Sequence, residues 1–107
     1  MTTRLIFALL FVVLLAAGPV QAGGDSARGE DLAATAECAM CHGDDGMGDE
    51  DNPKIAGMDD AAFVDALKGY KSGEREDESG MMADYAVDLS EQDMADLAAY
   101  YKSLGGN

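Results

Sequence analysis

Cys38-Ala39-Met40-Cys41-His42 is the stretch on which the reading of this chain turns. Two thiols three positions apart can add across the two vinyl groups of one haem, and the imidazole that follows is then held under the iron. C-x-x-C-H is accordingly the attachment signature of haem c. Other uses of the pair fit less well. A disulfide between Cys38 and Cys41 would close a very small loop and stabilise little. A thioredoxin-type redox pair belongs in a βαβ unit, and no strand-like alternation occurs in this sequence. A structural zinc ion takes four nitrogen or sulfur ligands, against two Cys and one His here. A lone His is ordinarily a core or surface residue, but its place directly after Cys41 makes it the expected proximal ligand.

Upstream of the motif, the chain opens with the features of an export signal. Arg4 supplies a positive start, Leu5 to Ala17 is one apolar run, Gly18-Pro19 breaks it, and Val20-Gln21-Ala22 suits a signal peptidase. The expectation is a cleaved leader over 1–22 and a single domain over 23–107, soluble in the periplasm. A membrane span wants about 20 apolar residues, so no stable membrane anchor is expected. No Cys near the cleavage point supports a lipid anchor either. A domain this small buries little apolar surface and needs a staple or cofactor.

Charge narrows the partners. The chain has 21 Asp and Glu against 7 Lys and Arg, for a formal charge of −14. All the acids follow the leader, so removing Arg4 makes the remainder more negative still. Nucleic acid and anionic membrane surfaces are poor partners for such a chain. The acidity suits a redox protein partner with a basic docking surface, or salt-rich surroundings in which acidic surfaces maintain solubility.

Downstream and around the motif, the periodicity is helical. Ser26 is placed to cap a helix through Ala27 to about Glu37, with Leu32, Ala33 and Ala36 on one side. Gly43 to Asn52 (GDDGMGDEDN) is a loop by composition, continued by Pro53-Lys54-Ile55-Ala56-Gly57. Asp59 or Asp60 can cap a second helix carrying Phe63, Leu67 and Tyr70, which Gly73 ends. Glu74 to Gly80 is a charged loop. Met81 to Val87 suits a short helix. Ser90 and Asp93 resemble a capping box, opening a last helix with Met94, Leu97, Ala98, Tyr101 and Leu104 on one stripe and Gly105-Gly106 at its end. The fold class is all-α: three main helices plus a short one.

The sixth iron position decides between closed and open haem chemistry. No second His exists, so the chain offers no bis-His pair. Six methionines follow the leader: Met40, Met47, Met58, Met81, Met82 and Met94. Met40 and Met47 are too close to the motif to cross the haem, and Met94 belongs to the last helix's core stripe. Met81 and Met82 lie in a turn far enough downstream to wrap the haem edge. Methionine ligation raises the reduction potential relative to harder ligands. The four tyrosines, Tyr70, Tyr85, Tyr100 and Tyr101, could line the haem crevice, but at helical spacing the default for an aromatic is plain core.

With CAMCHGDDG, PKIAG, LKGYKSGER and MMADYAVDLSEQDMADLAAYYKSL in view, the chain resembles the small bacterial class I c-type cytochromes, single-haem relatives of the diheme cytochromes c. The resemblance implies the class I cytochrome c fold wrapped around one covalent haem c. Its function would be one-electron transfer rather than enzyme catalysis, with redox proteins as partners and no small-molecule substrate. It matches Cys38 and Cys41 to the thioether cysteines, His42 to the proximal ligand, and Pro53 to the proline whose carbonyl accepts the His ring N–H. Counting back seven from Leu89 of the Leu-Ser that opens the last helix reaches Met82 as axial ligand, with Met81 as the fallback one residue away. The first helix departs from the family pattern: only Leu32 is bulky, and Gly29 to Cys38 is a residue or two long. IAGM and YKSGER also resemble the cytochrome subunit of flavocytochrome c sulfide dehydrogenases. A subunit of such an enzyme is therefore one alternative, and an open-site haem enzyme or gas sensor is the other.

Overall fold

The computed structural model describes residues 23–105. The expected leader over 1–22 and the final Gly106 and Asn107 lie outside these residues. All regular structure among the described residues is helical, in five segments: α1 (Ser26–Thr35), α2 (Cys38–His42), α3 (Asp60–Ser72), α4 (Met81–Ala86) and α5 (Glu91–Leu104). None is long and apolar enough to cross a membrane.

Helix α1 starts one residue earlier than its sequence suggests. Asp25, not Ser26, is the cap, and its carboxylate accepts the N–H groups of Ala27 and Arg28 at 2.9 and 3.2 Å. The helix also stops early. Glu37 takes a left-handed backbone (φ 65°), which separates α1 from α2 instead of letting one helix run to the motif. The attachment motif is thereby a helical turn of its own, an element beyond the four expected.

The later boundaries follow their local chemistry. Asp59 accepts the N–H groups of Ala61 and Ala62 at the start of α3, and the left-handed Gly73 closes its end. Ser90 and Asp93 cap one another reciprocally at the start of α5: Asp93 N–H donates to Ser90 Oγ at 3.0 Å and Ser90 N–H to Asp93 Oδ2 at 2.9 Å. Aspartate therefore serves where the longer Glu or Gln is usual. Helix α4 ends at Ala86, one residue short of the expected Val87.

Helix α5 is the spine of the core. It buries Met94, Asp96, Leu97, Ala98 and Tyr101, against which Ala33 of α1, Phe63 and Leu67 of α3, Ala86 of α4 and Leu89 pack. The weak first helix noted in the sequence is explained here. A Cβ on Gly29 would lie 2.0 Å from the Asp96 carbonyl oxygen and 2.8 Å from Tyr100 Cβ. The two helices cross at a glycine, so close contact replaces a bulky side chain, and Tyr100 supplies the volume from the α5 side.

The same crossing holds a buried carboxylate. Asp96, 1% exposed, accepts the Asp25 N–H at 2.8 Å, Gln92 Nε2 at 3.0 Å and the Arg28 guanidinium, which also reaches Asp93 at 3.0 Å. Burial alone would push Asp96 up. The hydrogen bonds from Asp25, Gln92 and Arg28 outweigh it and hold the carboxyl below its ordinary range. Asp96 and Arg28 thus clamp the chain start to the last helix.

Candidate haem-binding site

Cys38 and Cys41 lie one turn apart on α2, so both side chains project from the same side of one short helix. Both are free and partly buried. Burial pushes the Cys38 thiol up to about 11, which keeps it protonated against the flank of the core. No group of three His, Cys, Asp or Glu side chains able to hold a metal ion occurs among the described residues, so the zinc reading has no ligand set there.

His42 is 7% exposed. Its Nδ1 sits 2.7 Å from the Pro53 carbonyl oxygen. A carbonyl only accepts, so Nδ1 is the donor in this contact and Nε2 is the ring nitrogen left to bind a metal.

The loop that brings Pro53 under His42 is built by short-range bonds. Gly48 N–H donates to the His42 carbonyl at 2.8 Å, and Asp49 N–H to the Asn52 carbonyl at 2.8 Å. The Asp49 carboxylate accepts the N–H groups of Asp51 and Asn52, which with the Asn52 side chain hold it below the usual carboxylate range. Gly48 is left-handed (φ 70°), and a Cβ there would lie 2.3 Å from the Asn52 carbonyl oxygen and 2.7 Å from that of Pro53. Only glycine lets the Pro53 carbonyl come this close. The composition of GDDGMGDEDN indicated a loop; it carried no sign that this glycine sits against the carbonyl that orients His42.

The methionines sort by exposure. Met40 is 71% and Met47 50% exposed, while Met94 is 1% exposed in the core of α5. Met81, 47% exposed, faces outward. Met82, its neighbour on α4, is partly buried and packs against the core cluster. The start of α4 is organised by Asp77, which accepts Met82 N–H at 3.3 Å and Ser79 Oγ at 2.5 Å. The Ser79 bond is the main cause of a lowered Asp77 carboxyl. Along the chain Asp77 is one acid among several in the charged loop Glu74 to Gly80. A Ser two residues after an Asp at a helix start was the available signal.

The donor set fits haem c. It comprises two free thiols on one turn, an imidazole with Nδ1 occupied and Nε2 open, and a half-buried thioether further along. A buried tyrosine hydroxyl, Tyr101 Oη, also lacks any partner among the described residues.

The comparisons with known proteins point the same way. The cytochrome c family model matches residues 26–105. Cytochrome c-554(548) of Halomonas halodenitrificans is 39% identical over 82 residues, covering 75% of this chain and 96% of that protein. Cytochrome c4 of Pseudomonas aeruginosa is 36% identical over 103 residues, covering 94% of this chain and 48% of that one, so the chain spans about half the length of this relative. The solved structure of cytochrome c4 from Acidithiobacillus ferrooxidans superposes with a TM-score of 0.67 at 26% identity, over 81% of this chain and 52% of that chain. Attachment motif, helical architecture and these likenesses agree: the chain belongs to the cytochrome c family, as an all-α, class I electron-transfer protein carrying one covalent haem c.

Proposed function

We propose that this protein is a one-electron carrier of the periplasm in which Cys38 and Cys41 hold the haem and His42 and Met82 are its two axial ligands. The observation that carries the reading is the 2.7 Å contact between His42 Nδ1 and the Pro53 carbonyl. It leaves Nε2 as the ligating atom, fixes the ring plane and increases its basicity. Met82 is favoured over Met81 because it packs inward while its neighbour is about half exposed, and because it stands seven residues before Leu89.

The haem supplies the one-electron couple, and this chain's residues set its conditions. His42 is buried, so water is kept from the ligand. A thioether is a soft ligand that favours the reduced metal and raises the potential. The formal charge of −14 favours a basic partner, with association that weakens as salt rises. Export rests on Arg4, the apolar run Leu5 to Ala17 and the small residues before Gly23.

The test is spectroscopic. Oxidised holoprotein should show the far-red methionine-to-ferric-iron charge-transfer band. Met82→Ala should remove it, whereas Met81→Ala should leave it. The opposite pattern would shift the ligand by one residue. Absence of the band from the parent protein, with fast CO binding after reduction, would replace the carrier with an open-site haem protein. Mass spectrometry of protein from the periplasmic fraction should find a chain beginning at Gly23.

A further inference from the structure

Two buried side-chain oxygens lack a hydrogen-bond partner among the described residues, Asp60 Oδ1 and Tyr101 Oη. The first belongs to a half-exposed carboxylate whose other oxygen faces Lys102 at 3.7 Å. The second has no such account. Tyr101 is 0% exposed, and a buried hydroxyl left unpaired bears its full desolvation cost.

The surroundings of Tyr101 tie it to the haem-binding loop. Its ring stacks on Phe63 with centroids 5.7 Å apart and meets Tyr100 edge-on at 5.0 Å. Gly46, in the segment between His42 and α3, lies against the ring: a Cβ there would sit 2.8 Å from Tyr101 Cδ1 and 3.2 Å from Ala56 Cβ. Its carbonyl accepts the Gly57 N–H at 2.8 Å. Cys38 packs against the same cluster. The phenol is pushed far above its ordinary range, first by burial and then by Cys38, Tyr100 and Asp44, so its hydroxyl stays protonated. It is a donor awaiting an acceptor.

We propose that Tyr101 Oη donates to a propionate carboxylate of the haem, making Tyr101 a haem-positioning residue. A haem brings its own oxygen acceptors in its two propionates, whereas thioether sulfur accepts only weakly. Cations are scarce here. Arg28 is held by Asp93 and Asp96, Lys102 by Asp60, Lys68 by Glu91, and Lys71 by the Leu89 carbonyl. Arg75 lies over the Tyr70 ring and Lys54 is exposed, so a neutral buried donor is the way to stabilise a carboxylate at the core itself.

The proposal rests on haem attachment and is independent of Met82. The experiment compares Tyr101→Phe with Tyr100→Phe in holoprotein; both keep the ring. In Tyr101→Phe the less compensated propionate should favour ferric iron. The midpoint potential at neutral pH should fall, and the pH below which it begins to rise should move upward. The carboxylate signal in the infrared redox difference spectrum should shift as well. Tyr100→Phe should change none of these. An unchanged potential, pH profile and carboxylate signal in Tyr101→Phe would overturn the proposal. So would a change confined to the thioether C–S Raman modes. The far-red methionine band should persist in both variants, which separates this outcome from a failure of the ligand assignment.

Discussion

The two sides of the candidate iron site are built differently. On the His42 side, Gly48, Asp49, Asn52 and Pro53 form a closed circuit of bonds in which the ring, its acceptor and the turn beneath it constrain one another. On the Met82 side, the segment from Glu74 to Gly80 has no apolar residue, and α4 is six residues long. Its start hangs on the exposed Asp77–Ser79 pair, which accepts Met82 N–H at 3.3 Å and Met81 N–H at 3.2 Å. Local stability follows buried contacts and protected backbone bonds. His42 is therefore over-determined, and Met82, the proposed distal ligand, is held by a segment able to open at low cost.

The comparison can be tested by breaking each side in turn. The largest effect belongs to the anchors. In wild type the haem should stay with the polypeptide through denaturing electrophoresis. In Cys38→Ala/Cys41→Ala it should be lost, since no covalent bond would remain; haem-stained gels give the answer directly.

Next comes the clamp outside both sides. Asp96→Ala leaves the Asp25 N–H and Arg28 without their acceptor and should destabilise by about 1–3 kcal/mol in denaturant melts at neutral pH. Because the folded Asp96 carboxyl lies below its ordinary range, its contribution is present above about pH 4 and is lost as pH falls through the folded value. The gap between parent and Asp96→Ala should therefore close in acid. A gap that persists unchanged there would show that Asp96 acts through packing alone.

Gly48→Ala tests the proximal side. The left-handed backbone costs a residue with a Cβ about 1–2 kcal/mol, and the clash with the Asn52 carbonyl adds to it. The far-red band should survive, because the substitution lies opposite Met82. The smallest effect on stability is expected from Asp77→Ala, which removes one exposed acceptor before α4. It should nevertheless lower the temperature at which the far-red band fades while leaving the global melt nearly in place. Equal loss of band and fold would mean that the two sides open together.

Much of the fold is legible along the chain, since helix starts and stops depend on neighbours. Asp59, Gly73, Ser90 and Asp93 sit where their own chemistry puts them. The capped stripe Met94, Leu97, Ala98, Tyr101 indicates the face that becomes the core. The misreadings are small and share a cause. Ser26 and Asp25 are both good caps, and the choice between them depends on Asp96 accepting the Asp25 N–H from across the molecule. Glu37 carries no sequence mark of a left-handed residue, and its conformation follows from joining two helices that must point differently.

What the sequence alone determined was the cofactor and the class of chemistry. Cys38, Cys41 and His42 are adjacent in the chain, and their spacing has meaning before any folding. Tertiary structure decided what depends on distant partners: that Met82 packs at the edge of the core while Met81 faces outward, that Asp96 is a clamp among many solvated acids, and that Tyr101 keeps a buried hydroxyl unpaired among the described residues. The physical reason is one of range. Attachment and capping act over a few residues, whereas burial and hydrogen-bond satisfaction are set only when remote segments meet.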